Sequence, residues 1–364
     1  MDDTQTDCRD GGYMELKELL KKAYELGGSD VFIVPGARVT CKVKGDMVPL
    51  TEEIVRPDGT EKLIREAYEL AHRDIALLKK EGDDDFSFPI RDVSRFRCNA
   101  YYQRGTLAAT CRMISFDLPD PKSLGIPELV TNLARFRNGM ILVTGPAGSG
   151  KSTTLACMVD WINRNRDGHI VTIEDPIEYL HNHRKSIVSQ REVPNDAPTF
   201  ARALRAALRQ APDVIMLGEM RDLETIRTAI TAAETGHLLL SSLHTTGAAK
   251  TVDRILDTFP AEQQAQIRIQ LSMVLRAVVS QRLVPKKDGG QTAVFEVMTV
   301  NPAVQNLIRD GRTHQIDNAI FGGTNQGMIS MDMELQKLYQ AGVITKETAL
   351  LFAVSPETLV KRLH

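Results

Sequence analysis

The chain has 364 residues, of which 42% are hydrophobic and 25% charged, and its formal net charge is −2. These values are ordinary for a globular protein of about two domains at ~150 residues each, and the near-neutral charge argues against a nucleic-acid-binding surface. Its five cysteines are scattered without C-x-x-C spacing, which argues against a zinc knuckle or a disulfide framework and favours a reducing cytoplasm.

Residues 1–12 are polar and are predicted to be a disordered tail without signal-peptide character. Residues 13–116 are predicted to be a small α+β domain, because helices and meandering strands share this stretch. Apolar residues at helical spacing predict helices over residues 16–24 and 61–80. Short or alternating apolar runs predict strands over residues 31–34, 39–43, 86–90, 96–102 and 107–113. No apolar stretch approaches the ~18 residues of a membrane span.

Arginines occupy the polar face of the last predicted strands, at Arg95, Arg97 and Arg112, and Arg104 lies in the turn between the two strands. Such a row is most often a solvated sheet face. A nucleic-acid patch is the second interpretation, but the net charge and the lack of an aromatic stacking platform weigh against it. The third is a set of arginine fingers that reach the γ-phosphate of a nucleotide held by a neighbouring subunit.

Residues 117–122 are rich in proline and predict a linker to a second domain over residues 123–364. That domain contains the phosphate-loop motif G-x-x-x-x-G-K-[ST] between an apolar strand at residues 140–143 and a helix at residues 153–161. The motif and the first helical residue are Gly145, Pro146, Ala147, Gly148, Ser149, Gly150, Lys151, Ser152 and Thr153. Backbone N–H groups and the helix dipole make such a loop an anion site. Lys151 is predicted to bind the β- and γ-phosphates of ATP, and the Ser152 hydroxyl to bind Mg²⁺.

Three further apolar runs, at residues 169–173, 214–218 and 238–243, each end in polar residues. Helices predicted over residues 199–210 and 222–234 separate these runs, and the alternation indicates a mostly parallel sheet with helices on both faces. Ligands bind beyond the carboxyl ends of such strands. The residues found there are Glu174, Asp175, Glu178, Glu219 and His244.

Glu219 is the best-placed carboxylate to orient or activate the water that attacks the γ-phosphate. Glu174 and Asp175, with Glu178, are predicted to hold the water shell of Mg²⁺, which usually keeps several waters. His244 is a candidate sensor of the γ-phosphate. His237 precedes its strand at the other end, and its role stays open on this evidence.

The C-terminal part is predicted to be helical throughout. One long helix is expected over residues 267–283, and Pro302 is expected to begin another that Asn301 caps. Shorter helices are predicted over residues 316–321, 331–339, 346–353 and 356–363. Such a segment is expected to form a partner or subunit surface.

Four stretches in this order resemble the signature boxes of secretion ATPases, more narrowly the PilT family of type IV pilus retraction motors. Residues 145–152 resemble the Walker A box, residues 172–178 (TIEDPIE) the Asp box, residues 213–222 (DVIMLGEMRD) the Walker B box and residues 235–245 the His box. The resemblance extends over about residues 14 to 330. It implies an α/β fold: a RecA-like P-loop motor domain with a mostly parallel sheet, a small PAS-like N-terminal α+β domain and a helical C-terminal segment.

The resemblance also implies roles for individual residues. Lys151 and Ser152 would bind phosphate and Mg²⁺, and Glu219 would be the catalytic carboxylate, supported by Glu178. His237 would belong to the nucleotide site and His244 to the catalytic set. The finger arginines acting across a subunit boundary would be Arg97, Arg104 and Arg112.

The implied protein is a homo-hexameric ATPase in the cytoplasm, at the inner face of the cytoplasmic membrane, docked on the platform protein of the pilus machine. It would hydrolyse Mg-ATP to power pilus retraction and twitching motility. A motor for pilus extension or type II secretion is the nearest competing interpretation, but such relatives usually carry a further N-terminal domain and a four-cysteine metal site. The same boxes also leave open a type IV secretion ATPase, an auxiliary retraction ATPase, a nucleic-acid translocase and a non-catalytic nucleotide-binding scaffold.

Overall fold

The computed structural model describes residues 14–114, 118–324 and 327–363, so the tail predicted over residues 1–12 lies outside the described part. The chain divides into two compact units, Met1–Phe116 and Asp117–His364. Among the described residues, no helix combines the length and the apolar character needed to cross a bilayer.

The described part of the first unit contains one antiparallel sheet of six strands in the order β3-β2-β1-β6-β5-β4. Helix α2 packs on β6, and the core between helices and sheet includes Leu20, Ile64 and Phe88. The elements are α1 Leu16–Glu25, β1 Asp30–Ile33, β2 Thr40–Val43, β3 Asp46–Pro49, α2 Pro57–Leu70, α3 Ala76–Glu81, β4 Asp83–Ile90, β5 Ser94–Gln103 and β6 Thr106–Ile114.

The single helix predicted over residues 61–80 is wrong, because the structure has two helices with a turn between them. His72 takes a left-handed conformation, with φ of 50°. The next residue, Arg73, donates to both carboxylate oxygens of the buried Asp84, at 3.0 and 2.8 Å, and Tyr68 donates to the same carboxylate. A charged partner from β4 therefore holds a turn that the apolar periodicity alone does not indicate.

The second unit is built on a sheet of seven described strands in the order β13-β12-β7-β11-β10-β8-β9. Its elements begin with α4 Glu128–Asn132, β7 Gly139–Thr144, α5 Lys151–Asn165, β8 Gly168–Glu174, β9 Ser186–Glu192, α6 Phe200–Ala207, β10 Val214–Leu217, α7 Leu223–Glu234 and β11 Leu238–Leu243. They continue with α8 Ala248–Asp257, α9 Ala261–Val274, β12 Leu275–Pro285, β13 Gln291–Thr299, α10 Pro302–Arg309, α11 Ile316–Gly322, α12 Met331–Gln340, α13 Lys346–Phe352 and α14 Pro356–Val360.

Every neighbouring pair of strands in this sheet is parallel except β12 with β13. Both faces are covered: Met140 and Leu142 of β7 pack into one apolar core, and Ile141 and Val143 pack into the other. A strand buried on both faces reads as a continuous apolar run rather than an alternating one. The predicted α/β fold with a mostly parallel sheet is confirmed.

The long helix predicted over residues 267–283 is wrong in its second half. Helix α9 ends at Val274, and β12 begins at Leu275 and pairs in parallel with β7. Val278 packs on one face of the sheet and Val279 on the other. The segment that follows the motor sheet is therefore not helical throughout, because β12 and β13 extend that sheet before α10 begins.

Part of the predicted linker packs onto the apolar core of the second unit, to which it belongs. Leu118 contacts the apolar core that contains Leu155 and Val159 of α5. Asp117 lies outside the described residues. The proline-rich stretch therefore contributes apolar contacts as well as a connection.

Candidate active site

The polar clusters predicted at strand ends meet at one edge of the second sheet. The strand register places Thr144 beside Leu243, and Leu217 beside both Ser241 and Ile173. The residues that follow these strand ends line one cavity of about 260 Å³. Its lining includes Ala147, Gly148, Lys151, Ser152, Glu174, Asp175, Glu178, Glu219, Arg221 and His244. The structure thus brings together residues from all four sequence boxes.

The phosphate loop joins β7 to α5 through glycines in conformations that other residues rarely adopt. The φ angles of Gly145, Gly148 and Gly150 are 149°, 74° and 88°. Lys151 folds back on this loop, and its Nζ donates to the carbonyls of Gly145 at 3.0 Å and Pro146 at 2.9 Å. Burial lowers the pKa of Lys151, and the charge of Glu219 acts in the opposite direction.

The loop has the features of an anion site. In the described part of the chain, no side chain caps the first turn of α5, since the residue before this helix is Gly150. Its N–H groups, which have no partner within the helix, are therefore available to an anion at the positive end of the helix dipole. The Ser149 hydroxyl is also buried without a hydrogen-bond partner among the described residues. An oxygen-rich ligand such as phosphate would satisfy these groups.

Glu219 is held in place from two sides. The guanidinium of Arg221 lies 2.6 Å from one carboxylate oxygen, and Nε2 of His244 lies 3.3 Å from the other. The Ser242 hydroxyl donates to the carbonyl of Gly218, one residue earlier, at 2.6 Å. Arg221 was not among the predicted site residues, although it stands within the predicted Walker B box.

Glu174 is the most buried carboxylate of the cavity, with 8% of the residue exposed. Its Oε1 accepts hydrogen bonds from the Thr172 hydroxyl at 2.6 Å and from Nε2 of Gln190 at 3.1 Å. Burial raises the pKa of Glu174 to about 7, and these hydrogen bonds oppose the shift. Glu174 is therefore fixed by the sheet, while Asp175 and Glu178 continue into the loop beyond it.

Gln190 is a second residue to which the sequence analysis assigns no role in the site, since the sequence pattern does not indicate the strand β9. Besides Glu174, its amide contacts the carbonyl of Tyr179 at 2.9 Å. The Tyr179 hydroxyl lies 3.0 Å from that of Thr153 on α5. Gln190 and Tyr179 thus connect the segment after β8 to the helix that follows the phosphate loop.

His237 lies at the amino end of β11, whereas His244 lies just beyond the carboxyl end of that strand. The Nδ1 atom of His237 is 2.9 Å from the carbonyl of Ala232 near the end of α7. Within the described residues, His237 is not part of the cavity lining. Its assignment to the nucleotide stays a prediction.

The three predicted finger arginines lie in the first unit. Arg97 on β5 and Arg112 on β6 are directly opposite each other, and Arg104 lies in the turn between the two strands. Arg112 forms an ion pair with Asp30 at 2.8 Å, and Arg97 lies 3.8 Å from Asp85. The cavity is lined by residues of the second unit, so the role of these arginines stays a prediction.

Comparisons with known proteins agree with this geometry. A family model described as "Type II/IV secretion system protein" matches residues 13–289. The type IV pilus retraction ATPase PilT of Pseudomonas aeruginosa is 43% identical over 94% of this chain and 99% of its own length. The type IV pilus ATPase PilU of the same organism is 42% identical over 95% of this chain and 90% of its own length.

The fold is similar as well. The crystal structure of the pilus retraction motor PilT with bound ADP superimposes with a TM-score of 0.86 at 45% identity, covering 96% of this chain and all of that one. The chain therefore belongs to the type II/IV secretion system protein family, and within it to the PilT-type ATPases.

Proposed function

We propose that this chain is an ATPase motor that assembles as a homo-hexameric ring and hydrolyses Mg-ATP to power type IV pilus retraction and twitching motility. The convergence of Lys151, Glu219 and His244 on one cavity at the carboxyl edge of a parallel sheet carries the proposal. The similarity to a retraction ATPase over nearly the whole of both chains supports it.

The phosphate loop binds the β- and γ-phosphates in this proposal. Lys151 exchanges its two loop carbonyls for phosphate oxygens, and partial burial makes that charge interaction stronger than it would be in water. The N–H groups at the start of α5 donate to the same phosphates.

Glu219 orients the attacking water and accepts its proton. Arg221 and His244 hold the carboxylate in one orientation, which limits the reorganisation needed when the water is bound. His244 also borders the cavity, where it can contact the γ-phosphate, and Glu178 supports the same site.

The residues present fit Mg²⁺ that binds together with ATP. In the part of the chain that the structure describes, no three His, Cys, Asp or Glu side chains form a metal cluster of their own. Mg²⁺ in phosphoryl-transfer sites is usually held by few protein groups, by phosphate and by water. Here the Ser152 hydroxyl would bind it directly, and Glu174 and Asp175 would bind through water. When bound, Mg²⁺ neutralises charge that develops on the phosphates.

The ring completes the site in this proposal. Arg97, Arg104 and Arg112 reach the γ-phosphate in the site of a neighbouring protomer and stabilise the charge of the transition state. Nucleotide-driven movement of the two units then does mechanical work. The ring would act in the cytoplasm, on the platform protein of the pilus machine at the inner face of the cytoplasmic membrane.

A pilus ATPase other than the main retraction motor, such as an auxiliary retraction ATPase, is the second candidate function, because the chain is almost equally similar to a second type IV pilus ATPase, PilU. The experiments must also distinguish a pilus-extension motor, a secretion ATPase and a nucleic-acid translocase. Stimulation of the ATPase by added DNA would favour the translocase. The net charge of −2 argues against it, because nucleic-acid binding depends on positive charge.

The decisive experiment is to delete the gene and observe surface pili, with wild-type and Glu219→Gln genes returned separately. A retraction motor predicts long pili that do not retract, restored by the wild-type gene and not by the variant. Cells without pili would indicate extension instead. Pili that still retract, but with less force, would indicate the auxiliary role.

A further inference from the structure

We propose that Gln281 is a positioning residue of the phosphate loop, whose buried side chain on β12 holds the loop and the first turn of α5 in the shape that receives nucleotide phosphates. This inference rests on the proposed function and adds a residue from outside the four sequence boxes. The position of β12 in the sheet explains how Gln281 comes to lie there.

Strand β12 lies beside β7 and runs parallel to it, and it continues past the end of β7 at the edge that carries the cavity. Ser280 pairs with Thr144, the last residue of β7. Gln281 is therefore level with Gly145, where the loop begins. The residue is 3% exposed.

The side chain of Gln281 binds the helix that follows the loop. The Thr154 hydroxyl donates to Oε1 of Gln281 at 2.7 Å, although 127 residues separate the two in the chain. Thr154 is completely buried, and its N–H donates to the carbonyl of Gly150 at 3.0 Å. Gln281 thus contacts the turn that presents Ser152 and the free N–H groups to the ligand.

Gln281 also contacts both ends of the loop. A Cβ atom added to Gly150 would lie 2.8 Å from Nε2 of Gln281, and one added to Gly145 would lie 2.2 Å from its carbonyl oxygen. Both distances are too short for a real side chain. The first and last glycines of the loop therefore lie directly against one residue of the neighbouring strand.

These contacts matter because glycine-rich segments lose much conformational freedom when a ligand orders them. A loop that is held in its bound shape beforehand binds more tightly, since less ordering accompanies binding. The contacts do not depend on the γ-phosphate. Loss of the two side-chain contacts, to Thr154 and Gly150, should weaken the binding of ADP and ATP alike, and should raise KM more than it lowers kcat.

The effect of Gln281 on the phosphate loop can be separated from any effect on the loop that carries His244, because the neighbouring Ser280 makes the contact to that second loop. Adjacent residues of a strand point to opposite faces of the sheet, and the Ser280 hydroxyl accepts the N–H of Gly247 at 2.9 Å, beyond His244. Replacing the Gln281 side chain leaves this contact in place. A defect in Gln281→Met would therefore report on the phosphate loop rather than on the loop that carries His244.

The test measures ADP binding by titration calorimetry and steady-state ATP hydrolysis. Loss of one buried hydrogen bond predicts a Kd for ADP that is about tenfold higher in Gln281→Met, a similar rise in KM for ATP, and a kcat within about threefold of wild type. Thr154→Val should behave similarly, and Thr154→Ser, which keeps the hydroxyl, should restore binding. The variant that combines Gln281→Met with Thr154→Val should bind ADP no more weakly than Gln281→Met alone, because both changes remove the same hydrogen bond.

Gln264→Met is the matched control, since it removes a hydrogen bond from a glutamine on α9 to the carbonyl of Phe259, just before that helix. It should bind ADP as the wild type does. The inference is overturned if Gln281→Met binds ADP as tightly as wild type, or if Gln264→Met is weakened equally. Should Gln281→Met fail to fold, equal affinity in Thr154→Val and Thr154→Ser would overturn it. A wild-type protein that binds no ADP would instead overturn the proposed function.

Discussion

The Nε2 atom of His244 lies 3.3 Å from Oε2 of Glu219, although 25 residues separate them in the chain. The contact joins the ends of two neighbouring parallel strands, β11 and β10. Because Arg221 takes the other oxygen of the same carboxylate, Glu219 has a defined orientation before any substrate binds. Changes at this carboxylate should therefore affect turnover more than nucleotide binding.

Glu219→Gln should bind ADP and ATP but hydrolyse ATP about 10² to 10⁴ times more slowly, because the amide cannot accept the proton of the attacking water. Steady-state hydrolysis and calorimetry with ADP measure the two effects separately. Glu262→Gln, at an exposed glutamate of α9, is the control and should turn over normally. Normal turnover in Glu219→Gln would remove this residue from the mechanism.

Lys151→Met should lose nucleotide affinity, since the variant keeps an unbranched side chain but removes the charge that binds phosphate. Hydrogen bonds to charged groups contribute about 1.5–3 kcal/mol, so Kd should rise by roughly 10- to 100-fold. The melting temperature without nucleotide checks that the loop has not simply unfolded. Lys185→Met, at an exposed lysine, should bind normally. Unchanged affinity in Lys151→Met would contradict the assignment of the phosphate loop.

The buried carboxyl of Glu296 should make stability depend on pH. It accepts the N–H of Ala248 at 2.9 Å, where α8 begins. Burial raises its pKa from 4.5 to about 7; the bond from Ala248 and the charge of Arg282 oppose the shift, and Asp317 adds to it. Between these two values the folded protein holds a proton that the unfolded chain releases. The free energy of unfolding should therefore fall as pH rises through this window.

Glu296→Gln keeps an acceptor for the Ala248 N–H and removes the titrating group. Relative to wild type, its stability should increase between pH 5 and pH 8 by on the order of 1–3 kcal/mol. Urea unfolding midpoints of both proteins at the two pH values give the comparison, and Glu262→Gln serves as the exposed control. A constant difference between Glu296→Gln and wild type would show that Glu296 does not carry this dependence.

The proposed finger arginines predict complementation between subunits. Arg97→Ala and Arg112→Ala proteins should each lose ATPase activity, and should regain part of it when mixed with Glu219→Ala protein, because some sites then combine an intact arginine with an intact carboxylate. Asp30→Asn is the control for Arg112, since it removes the ion pair and keeps the arginine. Mixed rings without recovered activity would argue against action in trans.

The local features of the site could be predicted because their causes are local. A loop with glycines at positive φ, between an apolar strand and a helix, is encoded within residues 140–161. The polar residues at the ends of β8, β10 and β11 could also be predicted, because each comes directly after a short apolar run in the sequence. Their common edge then follows from the parallel sheet, which the alternation of strands and helices indicates.

The interpretation failed where one pattern fits two structures. Leu271, Val274, Leu275 and Val278 have helical spacing, yet the chain changes from helix to strand at Leu275. A short apolar run that is buried on both faces carries no period of its own, so helix and strand cannot be distinguished from it. Pairing with β7 is what makes this segment a strand.

The sequence by itself was enough to predict the glycine-rich turn, Lys151 and the carboxylates at the strand ends, since each of these features is specified by its immediate neighbours in the chain. The support behind them depended on folding: Gln281 against the phosphate loop, Gln190 against Glu174, and Arg221 and His244 on Glu219. Most of these contacts join residues that are distant in the chain, and they exist because the parallel sheet places separate strands side by side. Burial and packing between distant segments determine which of these contacts form, and a local stretch of sequence shows neither.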